Sequence, residues 1–348
     1  MTHLFIARAR WLMLGTALAL ITPGIALADA VYLKNGDRIS GTVEHLDGEV
    51  LEITLPYADD ATIKIDVSEI VSIETDEEVD IMLEDGTLSK ARLERAPEGG
   101  VILRRGAGVP QATIPLRQLA YIKPNAEESG VGVDWSGRVT LGVTDTSGNT
   151  ETRDAYVEAG LKATAKDWRW TTNGRAKYTE DSGTQTAGNW LAATRFDWFF
   201  VERQYLYGRA SIQRDTFSNI DLRWTAGAGY GYKVIESDRT NLELRAGLDH
   251  VSTQRVVPPD QDYLAFGWGI DFDHWFVQDR LQFFFGQEGF ADPRGDEGMI
   301  IRSQTGLRAP IIDDLTANFQ VNLDYNSDPG PGFKTTDRTY IVGLGYTF

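Results

Sequence analysis

Asp249, His250 and Ser252 bring an acid, a base and a hydroxyl within four positions, the residue types of a nucleophilic hydrolase. Beyond the leading segment the other histidines are His45, far towards the N-terminus, and His274, near an expected turn, so His250 is the one candidate general base. The spacing argues against catalysis. Successive residues of a strand point to opposite faces, so Asp249 cannot orient an imidazole at position 250. A hydrolase acting at a barrel rim is therefore the third of three readings, and His250→Ala would abolish it. Metal chemistry has less support, since there is no Cys and no paired-His spacing. Asp292, Asp296 and Glu297 lack the ligand intervals of a calcium loop, and Arg294-Gly295-Asp296 reads as a loop turn. The expectation is a protein without catalytic residues, metal or cofactor.

The other groups able to do work are charges repeated on one strand face. They are Arg138, Glu158, Lys162, Arg169, Arg175, Lys177, Arg195, Asp197, Arg209, Arg223, Lys233, Glu243 and Arg245, continued by Asp271, Asp273, Arg302 and Asp324. Inside a wide barrel such a set selects a solute. Inside a modest one, opposite charges pair and fill the space. Basic residues dominate the early strands, so an open pathway would suit an anionic or zwitterionic solute.

These charges need strands to hold them on a common face. From Trp135 onward the apolar period is two, and it predicts twelve strands, near 135–144, 153–165, 168–179, 189–200, 205–215, 222–235, 242–251, 263–276, 281–288, 299–309, 315–326 and 338–348. In the eleventh, Leu315, Ala317, Phe319, Val321, Leu323 and Tyr325 face one way, and Thr316, Asn318, Gln320, Asn322 and Asp324 the other. Connections alternate between short ones and longer ones, the latter including 180–188, as in outer-membrane barrels. Trp135, Trp168, Trp190, Trp198, Tyr263 and Trp275 near strand ends suggest an interfacial girdle, which assigns the apolar face to lipid. The last strand ends with Tyr340, Val342, Leu344, Tyr346 and Phe348 on one face, a pattern that serves as the barrel-insertion signal read by the assembly machinery.

The start of the chain is consistent with export. Arg8 and Arg10 precede an apolar run too short to span a bilayer, followed by Ala26-Leu27-Ala28, so residues 1–28 read as a signal peptide. A net charge of −17 argues against nucleic acid as a partner. Eight of the nine Trp lie between Trp135 and Trp275, and none falls within 29–130, which marks a boundary near the polar linker 125–134. Before it, Val31-Tyr-Leu-Lys-Asn-Gly-Asp37 is echoed by Ile81-Met-Leu-Glu-Asp-Gly-Thr87, and Ile65–Ile73 by Ile114–Ile122. This spacing predicts two small β-modules, 29–78 and 79–124, of SH3-like or Sm-like type with Asn-Gly and Asp-Gly hairpins. They would lie in the periplasm, with peptidoglycan or a periplasmic protein as a partner.

With the strands in place, Ser147-Gly-Asn-Thr150, Gln213-Arg-Asp-Thr-Phe217, Gly227-Ala-Gly-Tyr-Gly-Tyr232 and Gly343-Leu-Gly-Tyr-Thr-Phe348 stand in order along the chain. Over 135–348 the sequence resembles an uncharacterised family of Gram-negative outer-membrane β-barrels labelled salt-induced outer membrane proteins. The resemblance implies a barrel in the outer membrane and transfers no catalytic residue. The sequence thus predicts an all-β chain, a twelve-stranded antiparallel transmembrane β-barrel preceded by two small modules. Its leading function is a structural or narrow-pore envelope role, linked to salt stress by the resemblance. A solute-selective channel with a mixed-charge lumen is the alternative.

Overall fold

The computed structural model describes residues 28–106, 111–146, 152–312 and 314–348. The expected signal peptide, but for Ala28, and the Ser147–Thr150 motif lie outside the described residues. The chain divides into two compact units, one ending at Lys123 and one beginning at Pro124.

The first unit contains β1 (Asp29–Leu33), β2 (Arg38–Leu46), β3 (Val50–Leu55), β4 (Ala61–Asp66) and β5 (Ile70–Glu74), then β6 (Val79–Leu83), β7 (Leu88–Arg95), β8 (Val101–Arg104), β9 (Ala112–Ile114) and β10 (Leu119–Ile122). The repeat read in the sequence is a repeat of connectivity. β1 pairs with β2 and β5, and β6 pairs with β7 and β10 in the same way. A 3-10 turn precedes the last strand of each half, at Val67–Glu69 and Leu116–Gln118. The halves do not each close on a core of their own. β10 also pairs with β2, through Ile122 opposite Leu46, and one apolar cluster runs from Val31, Val43 and Ile53 to Leu93, Leu103 and Ile122. Repeats this short cannot bury enough surface separately, and sharing a core solves that.

The second unit opens with α1 (Ala126–Ser129), so part of the expected linker is folded. Asn125 and Glu128 form a reciprocal capping box around it. Twelve strands follow: β11 (Asp134–Thr146), β12 (Thr152–Ala165), β13 (Trp168–Asp181), β14 (Thr184–Val201), β15 (Gln204–Asp215), β16 (Ile220–Ile235), β17 (Thr240–Gln254), β18 (Gln261–Val277), β19 (Leu281–Ala291), β20 (Met299–Ile312), β21 (Leu315–Asn326) and β22 (Thr336–Thr347). Each pairs antiparallel with the next and β22 returns to β11, closing the barrel in the predicted order. One predicted connection was wrong. The stretch 180–188 is not a long loop: Ser182 and Gly183, at φ +49° and +78°, form a tight two-residue turn between β13 and β14.

The faces are inverted relative to a water-soluble protein. Leu141, Trp170, Phe196, Trp198, Leu206, Trp224, Leu248, Phe266 and Phe319 are exposed on the outside, whereas Asp197, Arg209, Arg223, Arg245 and Asp249 are buried within. An apolar belt around a polar interior is the pattern of a membrane-spanning barrel. The insertion-signal residues Tyr340, Val342, Leu344, Tyr346 and Phe348 all belong to this outer face. Tyr263 does not join the girdle; its register opposite Val251 turns it inward, where it packs with Ala265 and Phe290.

The C-terminus is seated by a glycine. Gly137 and Phe348 exchange backbone bonds of 2.8 and 3.1 Å, and a Cβ at Gly137 would stand 2.3 Å from the Phe348 ring. Gly137→Val is expected to unseat the aromatic terminus and to slow or block barrel closure. Loss of the heat-shifted folded band on a gel checks it; full retention of that band would refute it.

Candidate functional site: the charged lumen

Antiparallel register carries the charged face around the ring, and every lumen residue named from the sequence lies on the inward face. What the pattern could not tell is which of them meet. Arg169 on β13 donates from Nη1 and Nη2 to both oxygens of Glu243 on β17, each at 2.7 Å, and from Nε to Asp197 at 2.8 Å. Tyr205 Oη donates to Glu243 at 2.9 Å, and Arg195 Nε to Asp197 at 2.9 Å. Arg245 reaches Asp271 at 2.5 Å. Deeper in, Arg209 grips Asp249 through Nε and Nη2 at 2.8 and 2.7 Å, with Glu288 at 3.5 Å from Nη1. Arg175 on β13 donates to both oxygens of Asp324 on β21 at 2.7 and 2.9 Å.

Several of these contacts join strands that are not neighbours. β13 and β17 stand four apart in the ring of twelve, as do β13 and β21, and β15 and β19. Arg302 Nη1 on β20 meets Ser211 Oγ on β15, five strands away, at 3.3 Å. On the remaining side Gln320 donates to Glu158 at 3.0 Å and Asn322 to the Tyr156 hydroxyl, which itself donates to Glu158. Lys177 Nζ donates to Thr339 Oγ1 at 3.3 Å. Side chains rooted so far apart on the wall touch only by crossing the lumen. Arg169 on Glu243 and Arg209 on Asp249 use two nitrogens each, a forked geometry that is directional as well as strong, whereas Arg175 reaches both Asp324 oxygens from Nη2 alone.

The filling is uneven along the axis. A cavity of about 400 Å³ lies at the short-turn end, lined by Lys162, Arg169, Arg195, Lys233, Glu243 and Asp273. Glu127 of α1 lies 3.6 Å from Lys233 there. The next space, beside Arg195, Arg209 and Glu288, is about 50 Å³. Beyond the Arg209–Asp249 pair, the space between Arg223, Arg302 and Asp324 is about 30 Å³, room for little more than a water. Asp249 is 0% exposed and Arg209 7%, so this pair is buried in the lumen wall.

Not all cations are matched. Arg223 donates to Thr253 Oγ1 at 2.9 Å, and Arg308 to Gln282 and Asn318, while Arg302 Nε and Nη2 meet no acceptor among the described residues. Glu288 and Asp324 lie opposite Arg302 in the sheet but are engaged by Arg209 and Arg175. Arg138 lies in the same face with its Nε unmet.

Asp249, Glu288, Arg308 and the inward tyrosines 156, 205 and 207 are the members that sequence reasoning missed. The signal that could have found them is glycine on the inward face. A Cβ at Gly227 would be 2.1 Å from Asp249 Oδ1, and one at Gly267 1.8 Å from Oδ2. Gly231 lies under the Tyr205 ring and Gly229 under the Tyr207 hydroxyl. The motif Gly227–Tyr232 is thus a floor cleared for large side chains to lie flat. The hydrolase triplet is split by the same register. His250 faces outward, 5.0 Å from the Trp224 ring and 3.3 Å from Asp262, with Asp249 on the opposite face.

At the loop end, Asp292 accepts backbone N–H groups of Arg294, Asp296 and Glu297, each at 3.0 Å. These bonds, that from Arg294 foremost, hold its carboxyl below the usual carboxylate range. A depressed pKa means the bonds are intact above the free-Asp value near ~3.9 and are lost as pH falls through the lowered value. Asp292→Asn is expected to raise amide hydrogen exchange at Asp296 and Glu297 at neutral pH, whereas wild type loosens only in acid. Unchanged exchange in the variant would refute the turn's dependence on charge.

A family described as "Protein of unknown function, DUF481" matches residues 139–348. "Uncharacterized protein YdiY" of Escherichia coli (strain K12) is 22% identical over 214 residues, which span 61% of this chain and 83% of the relative. The NanC porin aligns in space with a TM-score of 0.38 at 9% identity, covering 61% of this chain and 98% of that one. The KdgM porin gives 0.36 at 11% identity, covering 61% and 99%. The translocator domain of the autotransporter NalP from Neisseria meningitidis gives 0.37 at 14%, covering 64% and 91%.

Proposed function

The chain belongs to the DUF481 family, and from the lumen of its barrel we propose a structural or narrow-pore role in the bacterial outer membrane rather than an open diffusion pore. The observation that carries this is the set of ion pairs crossing the lumen, Arg169–Glu243 and Arg175–Asp324 foremost, with the buried Arg209–Asp249 pair between the end cavities. Paired charges of this kind hold a barrel rigid and narrow the water path through it. A link to salt stress enters through the family resemblance alone. In this reading the leading 28 residues direct export and the last strand engages the assembly machinery. The unit spanning 29–123 lies on the periplasmic side, contacting peptidoglycan or a periplasmic protein. The role is non-enzymatic, which the outward position of His250 supports.

The alternative, a solute-selective channel, draws on the cations without carboxylate partners, Arg223, Arg302 and Arg308. A site with buried unmatched guanidinium groups favours anions over cations. Swelling of proteoliposomes in small sugars and organic anions separates the two. No swelling is expected; rapid swelling in neutral sugars would overturn the narrow lumen.

A further inference from the structure

Two guanidinium groups at the loop end of the lumen share one enclosed space, and neither has a carboxylate of its own. Arg223 on β16 is 3% exposed and Arg302 on β20 is 6% exposed. Arg302 crosses the barrel to Ser211 Oγ, which lies 2.7 Å from Thr225 Oγ1. In the ladder, Ser211–Thr225 is the inward pair next to Gln213–Arg223. The two arginine heads therefore meet at one level of the lumen, and both line the space of about 30 Å³.

The carboxylates of the lining are engaged elsewhere. Asp324 is held by Arg175, Asp215 accepts from Asn189 and the Ser218 N–H, and Asp337 accepts from Ser218 Oγ. The two guanidinium groups are left with neutral partners, Thr253 for Arg223 Nε and Ser211 for Arg302 Nη1. Arg302 Nε and Nη2 meet no acceptor among the described residues. The Gln213 amide also lines the space, and its oxygen meets no donor; turned over, it adds an N–H there. Lys334 adds a positive charge from the roof. That roof is tied by Asn219, 1% exposed, which donates to the Val257 and Pro329 carbonyls and accepts from the Val257 N–H. A water accepts N–H bonds in such a place but does not offset two buried like charges.

We propose that Arg223 and Arg302 bind a monatomic anion between them, chloride among physiological ions. The space holds little more than a water, so it is too small for a carboxylate or phosphate ligand. A halide accepts N–H bonds from any direction and supplies the missing countercharge. The site goes beyond the narrow-pore reading and does not depend on whether the lumen conducts.

The test is a denaturant titration of the full chain folded in detergent, followed by Trp fluorescence. It compares sodium chloride with sodium gluconate at equal ionic strength. Chloride is expected to lower the unfolding equilibrium constant about a hundredfold when in roughly hundredfold excess over its Kd, and gluconate to leave it unchanged. Arg302→Gln should abolish the response. Arg214→Gln, which removes an exposed cation paired with Asp221, should keep it. Indifference to chloride, equal protection by gluconate, or protection that survives Arg302→Gln overturns the proposal. If Arg302→Gln does not fold, wild-type crystals grown in bromide carry the test. An anomalous peak between Arg223 and Arg302 is expected, and a water in that place overturns the anion.

Discussion

Asp249→Ala lowers the stability of the barrel by about 3–5 kcal/mol, the cost of leaving a buried charge without its partner. Arg209 would keep Glu288, at 3.5 Å, and the Trp268 carbonyl, at 3.4 Å, in a position 7% exposed. The guanidinium lies 4.7 Å from the Phe290 ring centroid and 5.6 Å from that of Tyr207, so both rings pack against it. Replacing the pair together, as Arg209→Met with Asp249→Leu, is expected to cost much less, since no orphaned charge remains. Denaturant titration in detergent, followed by Trp fluorescence, compares the three proteins. Equal losses for the single and the double variant would show that shape, rather than charge pairing, holds the centre.

The second large effect is on conduction. Arg169→Ser combined with Arg175→Ser removes both ion pairs that reach from β13 across the lumen, to Glu243 and to Asp324. Folding should persist at some cost in stability, because Glu243 keeps Tyr205, Asp197 keeps Arg195, and the wall ladder from β12 to β14 is untouched. The variant is expected to pass from silence to steady channel openings in a planar bilayer. It should also lose anion preference, since two lumen cations are gone and their carboxylates remain. A folded but silent variant would mean that the Arg209–Asp249 pair alone seals the pore.

The architecture was legible because a membrane barrel writes its faces directly into a period of two. Alternation in β21, from Leu315 to Tyr325, gave both the strand and the face that meets lipid, and the motifs read as a family resemblance over 135–348 fall in the region the family matches. Strand ends were less legible. Glu180–Asp181 and Thr184–Gln185 are polar enough to read as loop, yet they extend a hairpin whose positive φ at Ser182 and Gly183 supports a tight turn. Tyr263 looked like a girdle residue because its type fits an interface, whereas its register placed it inside.

Charges could be assigned to the lumen by parity but not paired by it, since pairing depends on shear and on which strands face one another across the ring. Asp249 drew notice only as a failed partner for His250. Its importance was written elsewhere, in Gly227 and Gly267, whose missing side chains leave the carboxylate its place. The duplication at 29–124 was visible in the sequence, but the shared core was not. That core rests on contacts between residues far apart in the chain, the pairing of Ile122 with Leu46 and the backbone bonds from Thr75 to Leu93 and from Gly100 to Val71.

The central claim, a lumen closed by crossing ion pairs, is tested most directly by single-channel recording of the purified chain in a planar bilayer at moderate salt. Silence, or rare small openings whose reversal potential favours anions, is the predicted result. A steady, large, weakly selective conductance from folded wild-type protein would contradict it.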